Sequence, residues 1–217
     1  MLYGIHEGCA KLEHAIKLGC QWEPYIPTHF IYAFFTFNTL YNIDWDKSLN
    51  CGDLRNWHKS KTEHEKISSY IDFCCQDDCF LKDYKVFFIK YVTRKYNYSE
   101  ILEELKCIEM DRRYSNGAIN NTTLISNFNN ACSLCLTEDV FDQEAIDTII
   151  RFVYKIRCNL FHGVKTMEDL KYPSQQKRLE IYSSFVVAIN QMVFSYLEYL
   201  KGDDITKSFD NLLERLK

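Results

Sequence analysis

Apolar residues in this chain recur at steps of three and four, seldom at steps of two, and few residues interrupt them: 7 Gly and 3 Pro in 217 residues. A stripe of that period buries one face of a helix, whereas a strand needs alternation. An all-α fold follows, with an up-and-down helical bundle as its default architecture. The 47% hydrophobic and 15% aromatic content is enough for a sizeable core, and the length suits one domain over 1–217.

Along the chain, Leu2 to Cys20 reads as an amphipathic helix, and "EPYIP" at 23–27 ends it because Pro24 and Pro27 disfavour helix there. Thr28 can cap the next helix, in which Phe30, Phe34, Phe37 and Tyr41 follow at helical steps. Residues 46–60 are polar and turn-like, and a third helix resumes through Ile67, Tyr70, Ile71 and Cys74. The bundle core is expected in helices at about 28–44, 61–75, 139–163 and 175–200, with 77–138 as an insertion of helices and loops. Within that insertion the aromatic run "YKVFFIKYVTRKY", 84–96, is also compatible with a strand. Thr137 in "LTED" is the expected N-cap of the core helix at 139–163, which carries Ile146, Ile149, Ile150 and Val153. That helix is expected to run antiparallel to 175–200 through Ile149, Val153, Leu160, Phe185 and Ile189.

Charged residues Glu7, Lys11, Glu13 and Lys17 break up any signal-peptide core. The most hydrophobic run, "FIYAFFTFNTLYNIDW", is about sixteen residues and contains Thr and Asn, too short and too polar for a membrane span. Ten cysteines without an export signal read as reduced thiols, so the expected setting is cytoplasmic, away from membranes, and the sequons at Asn97 and Asn121 carry no meaning. A net charge of −4 provides no global pull toward nucleic acid, so any RNA contact must come from a local basic site.

One candidate for such a site is "KIRCNLFHGVK", residues 155–165, at the end of an apolar helical run. Arg157 and His162 are five positions apart and would lie about 140° apart on an ideal helix. Gly163 suits the left-handed position past a helix end, so the helix is expected to stop at His162. There the negative end of the helix dipole favours a protonated imidazole. On spacing alone, the pair also reads as ordinary dipole complements and carbonyl caps.

The segment "IRCNLFHG" resembles the R-x4-6-H signature of the HEPN superfamily, α-helical bundles many of whose members are metal-independent endoribonucleases. Upstream, "FTFNTLYNIDW" resembles the aromatic helix with an Asn-x-Leu-Tyr pattern that such proteins pack near the signature. The resemblance implies Arg157 and His162 as a catalytic pair, Asn159 and Cys158 as auxiliary residues, and the flanking Lys155 and Lys165 as substrate-binding cations. Members often carry Asn, Asp or His directly after the arginine, where this chain has Cys158. One branch carries a modifiable tyrosine two residues after the histidine, where this chain has Val164.

What the resemblance implies is cleavage of RNA by attack of the 2′-hydroxyl on the neighbouring phosphorus, with no metal or cofactor, in a toxin or antiviral defence effector. The residue types suit that chemistry: a histidine near neutrality moves a proton, and a guanidinium presents a planar fork to two phosphate oxygens. One motif supplies only one histidine. In the family the site forms across a two-fold homodimer, and an antitoxin or neighbouring defence protein can be a further partner. The alternative is a catalytically silent HEPN bundle that binds RNA or protein.

Rival sites carry less. Arg55 and His58 in "LRNWH" read as a surface pair in a polar turn, and Cys132 and Cys135 form a C-x-x-C to which Cys74, Cys75 and Cys79 could in principle add zinc ligands. Without a second C-x-x-C they read as core thiols. His6, His14, His29 and His64 have no partner at ligand spacing, and the acidic residues Asp77, Asp78, Glu103 and Glu104 read as solvated faces.

Overall fold

A computed structural model describes residues 26–45, 61–106, 118–138, 140–161 and 172–214. They form eight helices, α1 Ile26–Tyr41, α2 Glu63–Cys74, α3 Asp78–Val92, α4 Tyr98–Lys106, α5 Ala118–Thr137, α6 Gln143–Phe161, α7 Pro173–Leu200 and α8 Ile205–Glu214, with no strand among the described residues. The all-α expectation holds. No described helix is long and apolar enough to cross a membrane.

Local chemistry explains most helix boundaries. Thr62 closes a capping box on α2: its N–H donates to Glu65 Oε2 at 2.7 Å, and the Glu65 N–H donates to its Oγ1 at 3.3 Å. Asp77 caps α3 by accepting from the Phe80 N–H at 2.9 Å. Pro27 sits in the first turn of α1, where its missing N–H is no loss, so the helix begins at Ile26 and Thr28 lies inside it rather than capping it. The expected cap at Thr137 is also corrected. Thr137 ends α5 and returns its hydroxyl to Ser133 O at 2.7 Å. The cap of α6 is Asp142, whose Oδ1 accepts from the Ala145 N–H at 2.9 Å.

Residues 84–96 are helical, not extended. Tyr84, Phe87, Phe88 and Tyr91 fall at helical steps and are all buried, so periodicity outweighs the aromatic preference for strands. This helix sits within the core. Phe88 meets Phe141 and Phe185 at centroid distances of 4.7 and 5.8 Å, and Phe80 meets Tyr196 at 4.9 Å. Residues 77–138, read from sequence as an insertion, therefore supply three helices whose buried side chains join the same hydrophobic cluster as the other core helices.

The long α7 is the axis of the bundle. Fifteen of its residues are buried, Leu179 through Tyr196. Polar tips buried along it donate to helix carbonyls, although the Asn190 Oδ1 has no hydrogen-bond partner among the described residues. Tyr70 OH donates to Ile189 O at 2.8 Å, Tyr84 OH donates to Ala188 O, and Asn190 Nδ2 donates to Ala33 O at 2.8 Å.

Pairings along the helices set directions. Gln143 reaches Asp72, Arg151 reaches Ser68 and Tyr154 reaches Glu63, so α6 and α2 are antiparallel. Tyr70 pairs with Ile189, and Phe73 with Tyr196, so α2 and α7 run the same way. Hence α6 is antiparallel to α7, as expected. Ile149, Val153, Phe185 and Ile189 are buried as predicted, the Leu160 side chain lies outside what is described, and the ring contact between the two helices is Phe152 on Tyr182 at 5.9 Å.

Candidate functional site

Because α6 and α2 are antiparallel, the last turns of α6 lie beside the first turn of α2. Arg151, Tyr154 and then Arg157 with Cys158 follow at steps of three and four, which puts them along one side of α6. Opposite them stand Glu63 and His64, fixed at the start of α2 by the Thr62 capping box. The C-terminal half of α1 closes the group from the side.

Arg157 is half-buried. Its guanidinium carbon lies 5.6 Å from the centroid of the Phe34 ring on α1, and its Nη1 is 4.0 Å from Cys158 Sγ. Phe34 also meets Tyr154 at 6.1 Å, so one aromatic face supports two successive turns of α6.

Glu63 joins the three helices. Its carboxylate accepts from Tyr41 OH on α1 at 2.9 Å and from Tyr154 OH on α6. Tyr41 OH also contacts Asn38 Oδ1. Partial burial opposes ionisation of Glu63, but the hydrogen bonds from Tyr154 and Tyr41, with the charges of Arg157 and Lys66, outweigh it and hold the carboxyl below its ordinary range. The same contacts work the other way on the phenols. Burial first, and then the bond to Glu63, push Tyr41 and Tyr154 well above the usual tyrosine range, so both remain protonated donors.

His64 is exposed, and its ring lies 5.9 Å from that of Tyr154. Its Nδ1 is 2.9 Å from Arg151 Nη1. Arg151 is held on its other edges by Asp147 Oδ2 at 2.5 Å and Ser68 Oγ at 2.7 Å. His64 has no metal-ligand partner among the described residues, and its hydrogen-bond partner is an arginine 87 positions away in sequence.

Of the residues expected from sequence, Arg157 and the aromatic helix are brought together, Cys158 is a half-buried free thiol, and Lys155 is exposed. Asn159 lies in the last turns of α6, and nothing is described of its side chain. His162, Gly163, Val164 and Lys165 lie outside the described residues, as do Arg55, His58, His6 and His14. Cys132 and Cys135 are buried in α5, where burial pushes Cys132 up strongly and Cys135 to about 12. Among the described residues no group of three His, Cys, Asp or Glu side chains could hold a metal ion.

Two clefts lie elsewhere. One of about 240 Å³ runs between α5 and α6 beside Asn130, Asp142 and Thr148, and one of about 350 Å³ lies beside Lys82, Lys85 and Gln143. Both open at the start of α6, about 20 Å along the helix axis from Arg157. The Arg157 group thus brings a cation, a carboxylate, an imidazole and two phenols together where α1, α2 and α6 meet, with Glu63 and His64 exposed. Comparison with family models, curated proteins and solved structures finds no match to this chain.

Proposed function

We propose that the chain is a metal-independent endoribonuclease of HEPN type, acting as a homodimeric toxin or antiviral effector. One observation carries this reading: the two segments whose sequences bear the resemblance meet in space. Arg157 lies over Phe34, and Tyr154 shares the Glu63 carboxylate with Tyr41.

In this reading Arg157 holds a phosphate and stabilises the charge that grows on it as the 2′-oxygen attacks. The 2′-hydroxyl proton passes to a base, the bond from phosphorus to the 5′-oxygen breaks, and that oxygen takes a proton. The products are a 2′,3′-cyclic phosphate and a 5′-hydroxyl. His162 moves the protons, and the second copy of the motif across a two-fold axis supplies the other histidine. Lys155, exposed on α6, adds a cation for the neighbouring backbone.

A second reading is favoured by Glu63. A carboxylate that shares its field with Arg157 gives the arginine a structural partner, as in a silent bundle that binds RNA or protein without cutting it. The test is cleavage of mixed tRNA and mRNA by purified protein with EDTA present. Arg157→Ala and His162→Ala should each lower the rate by roughly a hundredfold or more. Arg157→Lys should also fail, because lysine keeps the charge and loses the fork. Equal cleavage by wild type and His162→Ala, or no cleavage by either, leaves the silent bundle as the function.

A further inference from the structure

The geometry points to His64 as a fixed-tautomer hydrogen-bond donor to the RNA backbone, held by Arg151 beside Tyr154, one turn of α6 before Arg157. The identity of the ligand rests on the ribonuclease reading. The state of the ring rests on its contact with Arg151 alone.

A guanidinium has five N–H donors and no acceptor. With Arg151 Nη1 2.9 Å from His64 Nδ1, that nitrogen must be the acceptor, and the neutral ring carries its hydrogen on Nε2. Arg151 is not free to turn away, since Asp147 and Ser68 hold its Nε and Nη2 at 2.5 and 2.7 Å. The imidazole is thereby fixed as a donor through Nε2 on an exposed side chain. Such a group suits an acceptor that arrives from solution, and phosphate oxygens are strong acceptors.

The neighbours narrow the ligand. His64 packs on the Tyr154 ring, Tyr154 donates to Glu63, and Glu63 senses Arg157, so donor, aromatic ring and guanidinium follow one another across the α2 and α6 surface. The Arg157 guanidinium, the Tyr154 ring and the His64 donor suit the backbone of single-stranded RNA, against the opposing charge of the Glu63 carboxylate between them. In this arrangement His64 is a positioning residue and moves no proton. Arg151 acts only through it.

The experiment combines three measurements on the full chain. Nitrogen NMR of the imidazole rings, with His64→Gln to assign the signal, reads the tautomer in the free protein. Affinity is measured for a fully 2′-O-methylated oligonucleotide, which lacks the attacking hydroxyl. Cleavage kinetics on the unmodified RNA give KM and kcat separately. The hydrogen should be on Nε2, and its signal should shift on binding. His64→Ala should weaken binding about tenfold, the scale of one hydrogen bond to a charged group, and raise KM with kcat nearly unchanged. His64→Gln, which keeps an N–H near the Nε2 position, should recover most of the affinity. Arg151→Met should resemble His64→Ala. A hydrogen on Nδ1, equal affinity of His64→Ala and wild type, or no recovery by glutamine would each overturn the proposal while leaving wild-type cleavage intact. If wild type neither binds nor cleaves RNA, the ribonuclease reading fails and the proposal fails with it.

Discussion

At the residue scale the opposition of Glu63 to Arg157 is the feature most open to test. A phosphate that reaches Arg157 must share its field with a carboxylate held ionised by two phenols. Glu63→Gln removes the charge and keeps an oxygen for the tyrosines. RNA affinity should rise roughly two- to fivefold, the scale of one partly exposed ion pair. Filter binding of the methylated oligonucleotide reads this directly, and unchanged affinity would mean that Glu63 does not compete. His29 is the second residue of note. It lies toward the start of α1, its Nε2 buried without a hydrogen-bond partner among the described residues, and burial, then Arg94, lowers its pKa to about 4. A histidine depressed in the folded state is protonated first in the unfolded chain, so stability is lost as pH falls from about 6.5 toward about 4. The loss between about pH 7 and about pH 5 should be about 2 kcal/mol by that linkage. Urea midpoints of wild type and His29→Gln will show it, and parallel pH slopes for the two would contradict it.

At the element scale the caps separate what sequence spacing could decide from what it could not. Thr137 and Asp142 are both acceptable N-cap residues within a few positions of one another, and sequence preference chose the wrong one. Asp142 caps α6 because Val140 and Phe141 run non-helically into it, with Phe141 anchored on Tyr84 and Phe88 at 6.3 and 4.7 Å. Asp142→Ala should therefore lower stability by about 1 kcal/mol, whereas Thr137→Ala should change it by a few tenths at most. Thermal unfolding of the two variants distinguishes them, and a larger loss from Thr137→Ala would reverse the assignment. The helix at 78–92 carries a similar lesson. Its aromatic content resembles a strand residue by residue, but only a 3.6-residue period places Tyr84, Phe87, Phe88 and Tyr91 against one core.

At the scale of the whole molecule, the described helices between 77 and 138 are part of the core. Phe128 on α5 stacks on Phe152 of α6 at 3.8 Å with an interplanar angle of 10°, and it also touches Tyr182 and Phe185 on α7. The helix that carries Arg157 is thus clamped from behind by residues that sequence reading set aside as an insertion. Phe128→Ala should cost about 3 to 5 kcal/mol, and because it loosens α6 it should also reduce RNA cleavage when assayed near its unfolding temperature. A loss below about 1 kcal/mol in urea unfolding would mean that the segment is peripheral.

Sequence alone determined the fold class, most of the helices and the buried face of each, because those follow from a local period and from the rarity of Gly and Pro. It also singled out Arg157 and the aromatic helix around Phe34 and Tyr41. Only the tertiary structure decided what surrounds Arg157. Glu63 and His64 stand in the first turn of α2, and their partners Tyr154 and Arg151 lie 91 and 87 positions away. No periodicity or motif spacing encodes such a pairing. It exists because α2 and α6 pack antiparallel on α7, and burial of their apolar faces brings the polar edges together.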